Sequence, residues 1–183
     1  MVEHQEALNH ALTIDYIRKL ALTKKRVELE QEDILALHKC ILQKINPEYA
    51  GVFRTVSVRI MGSQVPRPNH LKVPQLMDEF SHWLTSSCGH VTLLAAQAHL
   101  KLVFIHPFID GSGRTARLLF NLLLLQEGYP LVIVKKEQRA EYSNAIEKAL
   151  LEHKSDDFYR LMLLAIEKSL DVYLEAIDQS DMR

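Results

Sequence analysis

The chain has 183 residues, of which 48% are hydrophobic and 25% charged, and its formal net charge at pH 7 is −1. These values are typical of one globular domain with one core and exclude an intrinsically disordered chain. A net charge so close to zero provides no electrostatic field for DNA or an anionic membrane, so neither is expected as a partner. Cys40 and Cys88 are isolated in the sequence, which indicates neither a disulfide framework nor a zinc site.

Hydrophobic periodicity predicts helices along most of the chain. The first covers about residues 3–21, and the second runs from about residue 30 to residue 45 and ends at Asn46-Pro47. Four more are predicted at about 74–84, 91–104, 138–152 and 156–177. The helix that follows residue 113 is apolar on nearly every side and ends at Gly128-Tyr129-Pro130, so we expect it at the centre of the fold. The predicted class is all-α, in a single domain over 1–183 with its core at about 30–177.

One segment has a different period. Even-numbered positions of 52–60 are mostly apolar, and Thr55, Ser57 and Arg59 alternate with them. Residues 61–63 can turn the chain, and the return arm contains Pro66 and Pro68, which confine it to a sheet edge. The sequence therefore predicts a small, exposed β-hairpin.

The run HPFIDGSGRTAR, residues 106–117, carries the most chemical information. It places Arg114 and Arg117 at the predicted start of a helix, where each cation costs roughly 0.3–1 kcal/mol unless an anion is bound nearby. Gly111 and Gly113 allow the backbone to approach a ligand, and the first-turn N–H groups point outward. This combination favours a polyphosphate ligand. The alternative is an ordinary loop in which Asp110 or Ser112 caps the helix, although a plain cap would favour acidic residues in the first turn.

The same run resembles the Fic motif, HPFx[D/E]GNGRxxR, at every defined position except Ser112, where the family has asparagine. The resemblance extends from about Glu3 to Ile177. It includes the FRT run at 53–55, the segment AHLKLVFIHPF that leads into the motif, and the segment LLLLQEGYP that follows it. Within the family the chain is most similar to the animal-type protein adenylyltransferases and their bacterial relatives. The expected architecture is a Fic-type helical bundle with a small β-hairpin flap beside the active site.

The resemblance implies a role for each matching position. His106 would be the general base, and Asp110 would bind Mg²⁺ that bridges the α- and β-phosphates. The remaining nucleotide-binding positions would be Gly111, Ser112 and Gly113 in the anion-binding turn, Arg114 and Arg117 at the β- and γ-phosphates, and Tyr142 at the adenine. The flap that docks the target would contain Val58, Arg59, Ile60, Met61 and Gly62.

The activity that the resemblance implies is transfer of AMP from Mg·ATP to a Ser, Thr or Tyr hydroxyl of a target protein. Relatives with altered motifs transfer UMP, phosphocholine or phosphate instead. A different hypothesis is a nucleotide-binding regulatory module with weak or no catalysis, because Ser112 lacks the family asparagine's contact with the α-phosphate. Losing such a donor costs ~2–4 kcal/mol of transition-state stabilisation, by analogy with oxyanion holes.

Control and location are further expectations. Many Fic proteins restrain themselves with an [S/T]xxxE[G/N] helix whose glutamate pairs with the second motif arginine, here Arg117. Glu127-Gly128 is preceded by Leu123 where Ser or Thr is required, so we expect no such restraint within this chain. A separate antitoxin chain would be an alternative source of the glutamate, and a homodimer is also compatible with the resemblance. No signal peptide or membrane-spanning run is visible, so a cytoplasmic location is expected for the chain as given, although a longer parent could differ, for example in the endoplasmic reticulum lumen.

Overall fold

The protein is built from α-helices. The computed structural model describes residues 2–181, without the side chains of Val2, Lys136, Ser180 and Asp181. The helices of that range are α1 (Val2–Thr23), α2 (Gln31–Leu42), α3 (Val73–Ser86), α4 (Val91–Ile105), α5 (Ser112–Gln126), α6 (Arg139–Leu151) and α7 (Asp156–Asp181). Short 3₁₀ turns precede α2, α3 and α6. The all-α prediction is confirmed, and the predicted helix ends differ from the observed ones by at most four residues.

Helix α5 lies at the centre of the bundle, as its all-round apolar sequence predicted. Helices α1, α2 and α4 pack against it, and α7 packs against α4 and α6. Its buried apolar side chains include Leu118, Leu119, Phe120, Leu122, Leu123 and Leu124. Because the core is formed around α5, the first turn of this helix is held rigidly at one end of the bundle. Within residues 2–181, no helix is both long enough and apolar enough to cross a membrane.

The predicted β-hairpin is wrong. No β-strand forms among residues 2–181, and the segment 52–68, here called the flap segment, is an extended loop with a turn. The turn itself lies where it was predicted, since the N–H of Ser63 donates to the carbonyl of Ile60 at 3.1 Å and Gly62 has a φ of +79°. Two prolines remove N–H donors from the return arm, so a regular ladder cannot form there.

The apolar side chains of the flap segment do not share one buried face, which is the second reason for that error. Val52 and Val56 are each 51% exposed, whereas Arg54, the one charged residue at an even-numbered position of 52–60, is only 2% exposed. The alternation of apolar and polar residues in 52–60 therefore corresponds to an extended backbone that does not pair with another strand. Arg54 determines the path of this segment.

Candidate nucleotide-binding and catalytic site

The motif loop, residues 106–113, begins where α4 ends. His106 is the C-cap of α4 and has left-handed backbone angles, φ +48° and ψ +61°, while its N–H still donates to the Leu102 carbonyl at 3.0 Å. Histidine is among the non-glycine residues that adopt this conformation more readily than most. The left-handed residue ends the helix and turns the chain, so that Phe108 is fully buried and the loop leads directly into α5.

The N-terminus of α5 has no side-chain cap. Gly111 is its N-cap residue, with a φ of +81°, and brings no side chain. The Ser112 side chain is 1% exposed and turns inward: its Oγ accepts the Phe108 N–H at 3.1 Å and approaches the Phe108 carbonyl at 3.3 Å. Neither Asp110 nor Ser112 therefore caps the helix, and the alternative of an ordinary capped loop is wrong. The uncapped first turn retains the N–H donors and positive dipole end that bind anions.

A cleft of about 630 Å³ opens beside this helix end. Its walls come from the turn of the flap segment, the end of α4, the start of α5 and helix α6. The predicted site residues that line it are His106, Gly113, Arg117, Tyr142, Ile60, Met61 and Gly62. Four cationic side chains, those of Arg67, Arg117, Lys135 and Arg139, line the cleft with a single carboxylate, that of Glu147. The cleft is thus complementary to a polyanion.

The other predicted site residues lie outside the lining of that cleft. Gly111 and Ser112 form the turn behind it, and Val58 and Arg59 lie on the flap segment before its turn. Asp110 and Arg114 form an ion pair at 2.7 Å, and the second guanidinium nitrogen of Arg114 contacts the Glu6 carboxylate of α1 at 3.0 Å. Arg114 therefore bridges two carboxylates, whereas Arg117 has no ion-pair partner within residues 2–181.

The Asp110 carboxylate is suited to binding a metal ion that is also coordinated by the phosphates of a nucleotide. Within the described part of the chain, no three His, Cys, Asp or Glu side chains converge on one point, so a cage made of protein groups alone is absent there. Mg²⁺ commonly uses one or two carboxylates together with phosphate oxygens and water. The Asp110 carboxylate is 61% exposed, and its second oxygen accepts the Gly111 N–H at 2.6 Å, which fixes its orientation. One exposed, oriented carboxylate beside the uncapped start of α5 satisfies that requirement.

His106 is neutral in this environment. Burial, followed by the positive charges of Arg67 and Arg54, lowers the pKa of the His106 imidazole to about 4, and the Val103 carbonyl and Asp110 oppose this only partly. The buried Nδ1 nevertheless has no hydrogen-bond partner among residues 2–181, so the Val103 carbonyl acts on the imidazole only through its partial negative charge. A neutral imidazole at the edge of the cleft can accept a proton at pH 7.

Tyr142 lies in the cleft wall with its ring 8% exposed. Its hydroxyl is 2.6 Å from Nε2 of His99, a fully buried residue that also stacks on Phe158 at a centroid distance of 5.3 Å. Burial raises the pKa of the Tyr142 phenol, and Arg117 acts against that shift. Tyr142 lines the cleft, and its role toward adenine stays a prediction.

Two arginines to which the sequence assigned no role anchor the flap segment: Arg54, which is 2% exposed and contacts the motif loop, and the partly buried Arg67, which contacts α4. The Arg54 guanidinium donates to the carbonyls of His106 at 2.8 Å, Val56 at 2.9 Å and Pro68 at 2.6 Å, and its backbone N–H donates to the Pro107 carbonyl at 2.8 Å. Arg67 donates to the Val103 carbonyl of α4 at 3.0 Å. The FRT run that resembles the family contains Arg54, but nothing in the neighbouring sequence predicts that its side chain is buried and bonded to the motif loop.

The family follows from comparison with known proteins. The family model described as Fic/DOC family matches residues 28–124. This chain belongs to the Fic/DOC family. Its curated relatives include Protein adenylyltransferase Fic of Drosophila grimshawi, 42% identical over 177 residues, and of Drosophila willistoni, 43% identical over 177 residues. These alignments cover 95% of this chain but 36% and 34% of the two relatives, so the chain spans about a third of their length.

Solved Fic structures share the fold. Fic-1 from C. elegans superposes with a TM-score of 0.87 at 33% identity, covering 98% of this chain and 53% of that one. The N-terminal Fic domain of a Bartonella quintana protein, solved with bound ADP, gives a TM-score of 0.67 at 19% identity, covering 88% of this chain and 82% of that one. The second likeness shows the Fic fold alone.

Proposed function

We propose that this chain is the catalytic domain of a protein adenylyltransferase, which transfers AMP from ATP to a hydroxyl group of a target protein. The observation that carries the proposal is the shared opening of His106, Arg117 and the uncapped start of α5 into one cationic cleft. The turn of the flap segment forms the opposite wall of that cleft, where a protein segment can approach. The curated relatives named protein adenylyltransferases support the same activity.

The chemistry assigns one task to each group. Neutral His106 takes the proton from the target hydroxyl while its oxygen forms a bond to the α-phosphorus of ATP. The bond from that phosphorus to the β-phosphate oxygen breaks, and pyrophosphate leaves. Arg117 and the first-turn N–H groups of α5 pair with phosphate oxygens, for which a planar guanidinium is well suited. Asp110 would hold Mg²⁺, which supplies charge neutralisation on the phosphates when it is bound.

Labelled nucleotides test the proposal directly. The protein is incubated with Mg²⁺, a heat-treated cell lysate whose own kinases are inactive, and ATP carrying label on either the α- or the γ-phosphate. Transfer of AMP places label on protein only from the α-position, because the γ-phosphate leaves in pyrophosphate. Label from the γ-position alone would indicate phosphate transfer, and protein without label from either nucleotide would refute a transferase function.

Asp110→Ala is expected to weaken Mg²⁺-dependent nucleotide binding and transfer together. Removing this carboxylate deletes the proposed metal ligand and also frees Arg114 from one of its two ion pairs. Isothermal titration with Mg·ADP, and with ADP and a chelator, measures the metal-dependent part of the affinity. Identical Mg·ADP affinity in Asp110→Ala and the parent would show that Asp110 does not hold the metal. Glu6→Ala, which frees the same guanidinium from its other partner, is the matched control.

One observation favours the second candidate, a nucleotide-binding regulatory domain with little catalysis. The Oγ of Ser112 is occupied by the backbone of Phe108 and is buried, so it offers no donor to the cleft. The family asparagine at this position would carry a longer amide. Its oxygen can accept the Phe108 N–H while its NH₂ group remains free for a phosphate oxygen.

Ser112→Asn is therefore expected to increase transfer, by up to ~10²-fold if a full transition-state donor is restored. The rate of labelling with α-labelled ATP is compared for the parent, Ser112→Asn and Ser112→Ala. The alanine variant loses the two contacts with Phe108 and controls for a loosened loop. Equal rates in parent and Ser112→Asn would mean that serine already fulfils the role, and a lower rate in Ser112→Asn would favour another transferred group.

A further inference from the structure

His38 of α2 lies directly beneath the motif loop. Its side chain is fully buried, and its ring stacks on that of Phe108 with centroids 3.6 Å apart and an interplanar angle of 5°. Sequence reasoning gave this residue no role, since it lies 72 positions before Asp110 and inside the apolar stripe of α2. Only the fold brings the two residues together.

Both ring nitrogens of His38 are hydrogen-bonded to backbone groups of different segments. The Gly51 N–H donates to Nδ1 at 2.9 Å, so Nδ1 carries no proton and the neutral ring has its proton on Nε2. That Nε2–H donates to the carbonyl of Asp110, also at 2.9 Å. A buried imidazole is costly unless its polar atoms are paired, and here both are. The arrangement is specific to histidine, because a leucine or phenylalanine would fill the space and lose both bonds.

The bond to Asp110 acts at the point where the motif loop becomes α5. The same residue supplies the exposed carboxylate, and Gly111, next in sequence, is the N-cap of α5. A Cβ at Gly111 would lie 3.1 Å from both Cδ2 and Nε2 of His38, so the loop rests against the ring. Rotation of the Asp110–Gly111 peptide would move both the carboxylate and the first N–H groups of the helix.

We propose that His38 is a positioning residue, which fixes the Asp110–Gly111 peptide through its Nε2–H and so sets the geometry of the metal-binding carboxylate and the anion-binding turn. The inference rests on the proposed function for the identity of the ligand. His38 does not touch the cleft, and its effect is transmitted through Asp110. Groups that hold a metal ligand in place commonly change affinity or activity by about 10–100-fold when they are removed.

Two substitutions separate the two hydrogen bonds. His38→Gln can place an amide NH₂ near the position of Nε2 and keep the bond to Asp110, while the acceptor for Gly51 is lost. His38→Asn can place an amide oxygen near the position of Nδ1 and keep the bond from Gly51, while the bond to Asp110 is lost. Both remove the stacked ring, so they share the packing loss and serve as controls for one another.

Three measurements are made on the folded variants: Mg·ADP affinity, the KM for Mg·ATP and kcat of AMP transfer, and amide hydrogen exchange of the peptide over 106–113 without nucleotide. We expect His38→Asn to weaken Mg·ADP binding and kcat/KM by about 10–100-fold and to speed exchange in the loop. His38→Gln keeps the bond to Asp110, so its Mg·ADP affinity should stay within about threefold of the parent and its exchange over 106–113 should be unchanged. Equal losses in both variants, or none in either, would overturn the proposal, since a packing role predicts no difference between them.

If His38→Asn does not fold, a second pair of variants tests the contact between His38 and the motif loop without changing His38. Gly111→Ala and Gly128→Ala add a methyl group at nearly the same φ, +81° and +82°, but only the methyl at position 111 meets His38, and position 128 has open space. Each variant is measured over the peptide around its own substituted residue, 106–113 for Gly111→Ala and 124–131 for Gly128→Ala. A larger increase in exchange for Gly111→Ala supports the proposal, and equal increases, which the strain at a positive φ alone would produce, refute it. A parent protein that neither binds Mg·ADP nor transfers AMP would refute the proposed function, whereas the exchange comparison still decides whether His38 holds the loop.

Discussion

Replacement of His106 is expected to abolish AMP transfer while nucleotide binding persists. The imidazole is the neutral group at the cleft edge that can accept the hydroxyl proton, and general-base catalysis contributes about 10²–10⁴-fold to a rate. His106 also has left-handed backbone angles, with φ +48°, so an alanine there adds strain unrelated to catalysis. Asparagine tolerates this conformation far better and cannot act as a base near neutrality. His106→Asn is therefore the sharper variant, with His106→Ala beside it.

The measurement is a single-turnover rate with α-labelled ATP, accompanied by Mg·ADP titration and a thermal unfolding curve. We expect both variants to bind Mg·ADP like the parent and to lose transfer by at least about 10²-fold. A parent-like rate in His106→Asn would remove His106 from the mechanism. Loss of nucleotide binding in both variants would instead assign the residue to the phosphate site.

The second large effect is an expected loss of folding stability as the pH falls below 6.5. Burial lowers the pKa of His38 to about 4, that of His99 to about 3 and that of His106 to about 4. An unfolded chain binds protons at these residues near pH 6.5, whereas the folded protein does not, so their contribution to stability is present above pH 6.5 and is lost as the pH falls towards 4. Protonation of each histidine on unfolding costs roughly 1 kcal/mol of stability between pH 7.5 and pH 5.5, so the three together cost a few kcal/mol.

Urea unfolding at those two pH values measures this loss, in a range above the ordinary pKa of carboxylates. His99→Gln keeps a side-chain acceptor for the Tyr142 hydroxyl but cannot titrate, so it is expected to retain roughly 1 kcal/mol more of its stability at pH 5.5 than the parent does. A change below about 1 kcal/mol in the parent would mean that the folded protein binds protons at these sites.

The sequence predicted the helices well because each has a physical boundary signal. Pro74 lies in the first turn of α3, and Gly128 and Pro130 follow α5. The apolar stripes between such signals have the period of a helix, and tertiary packing did not oppose them. Arg114 and Arg117 were predicted to meet a phosphate because their types and spacing in 106–117 are local information, whereas His106 was expected to be the base through the family resemblance.

The errors and omissions have a common cause, which is dependence on contacts distant in sequence. The path of the flap segment is determined by the Arg54 guanidinium, whose partners include His106, 52 residues away. The position of Arg114 depends on Glu6, 108 residues before it, and that of Asp110 depends on His38. None of these pairings alters the local pattern of hydrophobic and polar residues, so periodicity cannot reveal them. A buried charged residue inside an exposed-looking loop is detectable only after folding.

The contacts of Arg54 have a consequence for how the protein can diverge. All its partners are backbone atoms: the carbonyls of His106, Val56 and Pro68, with Pro107 joined through the main chain. Side chains at the exposed tip of the flap segment, such as the fully exposed Met61, take no part in this anchor. If the tip docks the target and His106 is the base, as we propose, substitutions at the tip change which proteins are recognised without displacing His106. Under that proposal, recognition and chemistry are separately mutable, and a library randomised at the tip can be screened for new targets.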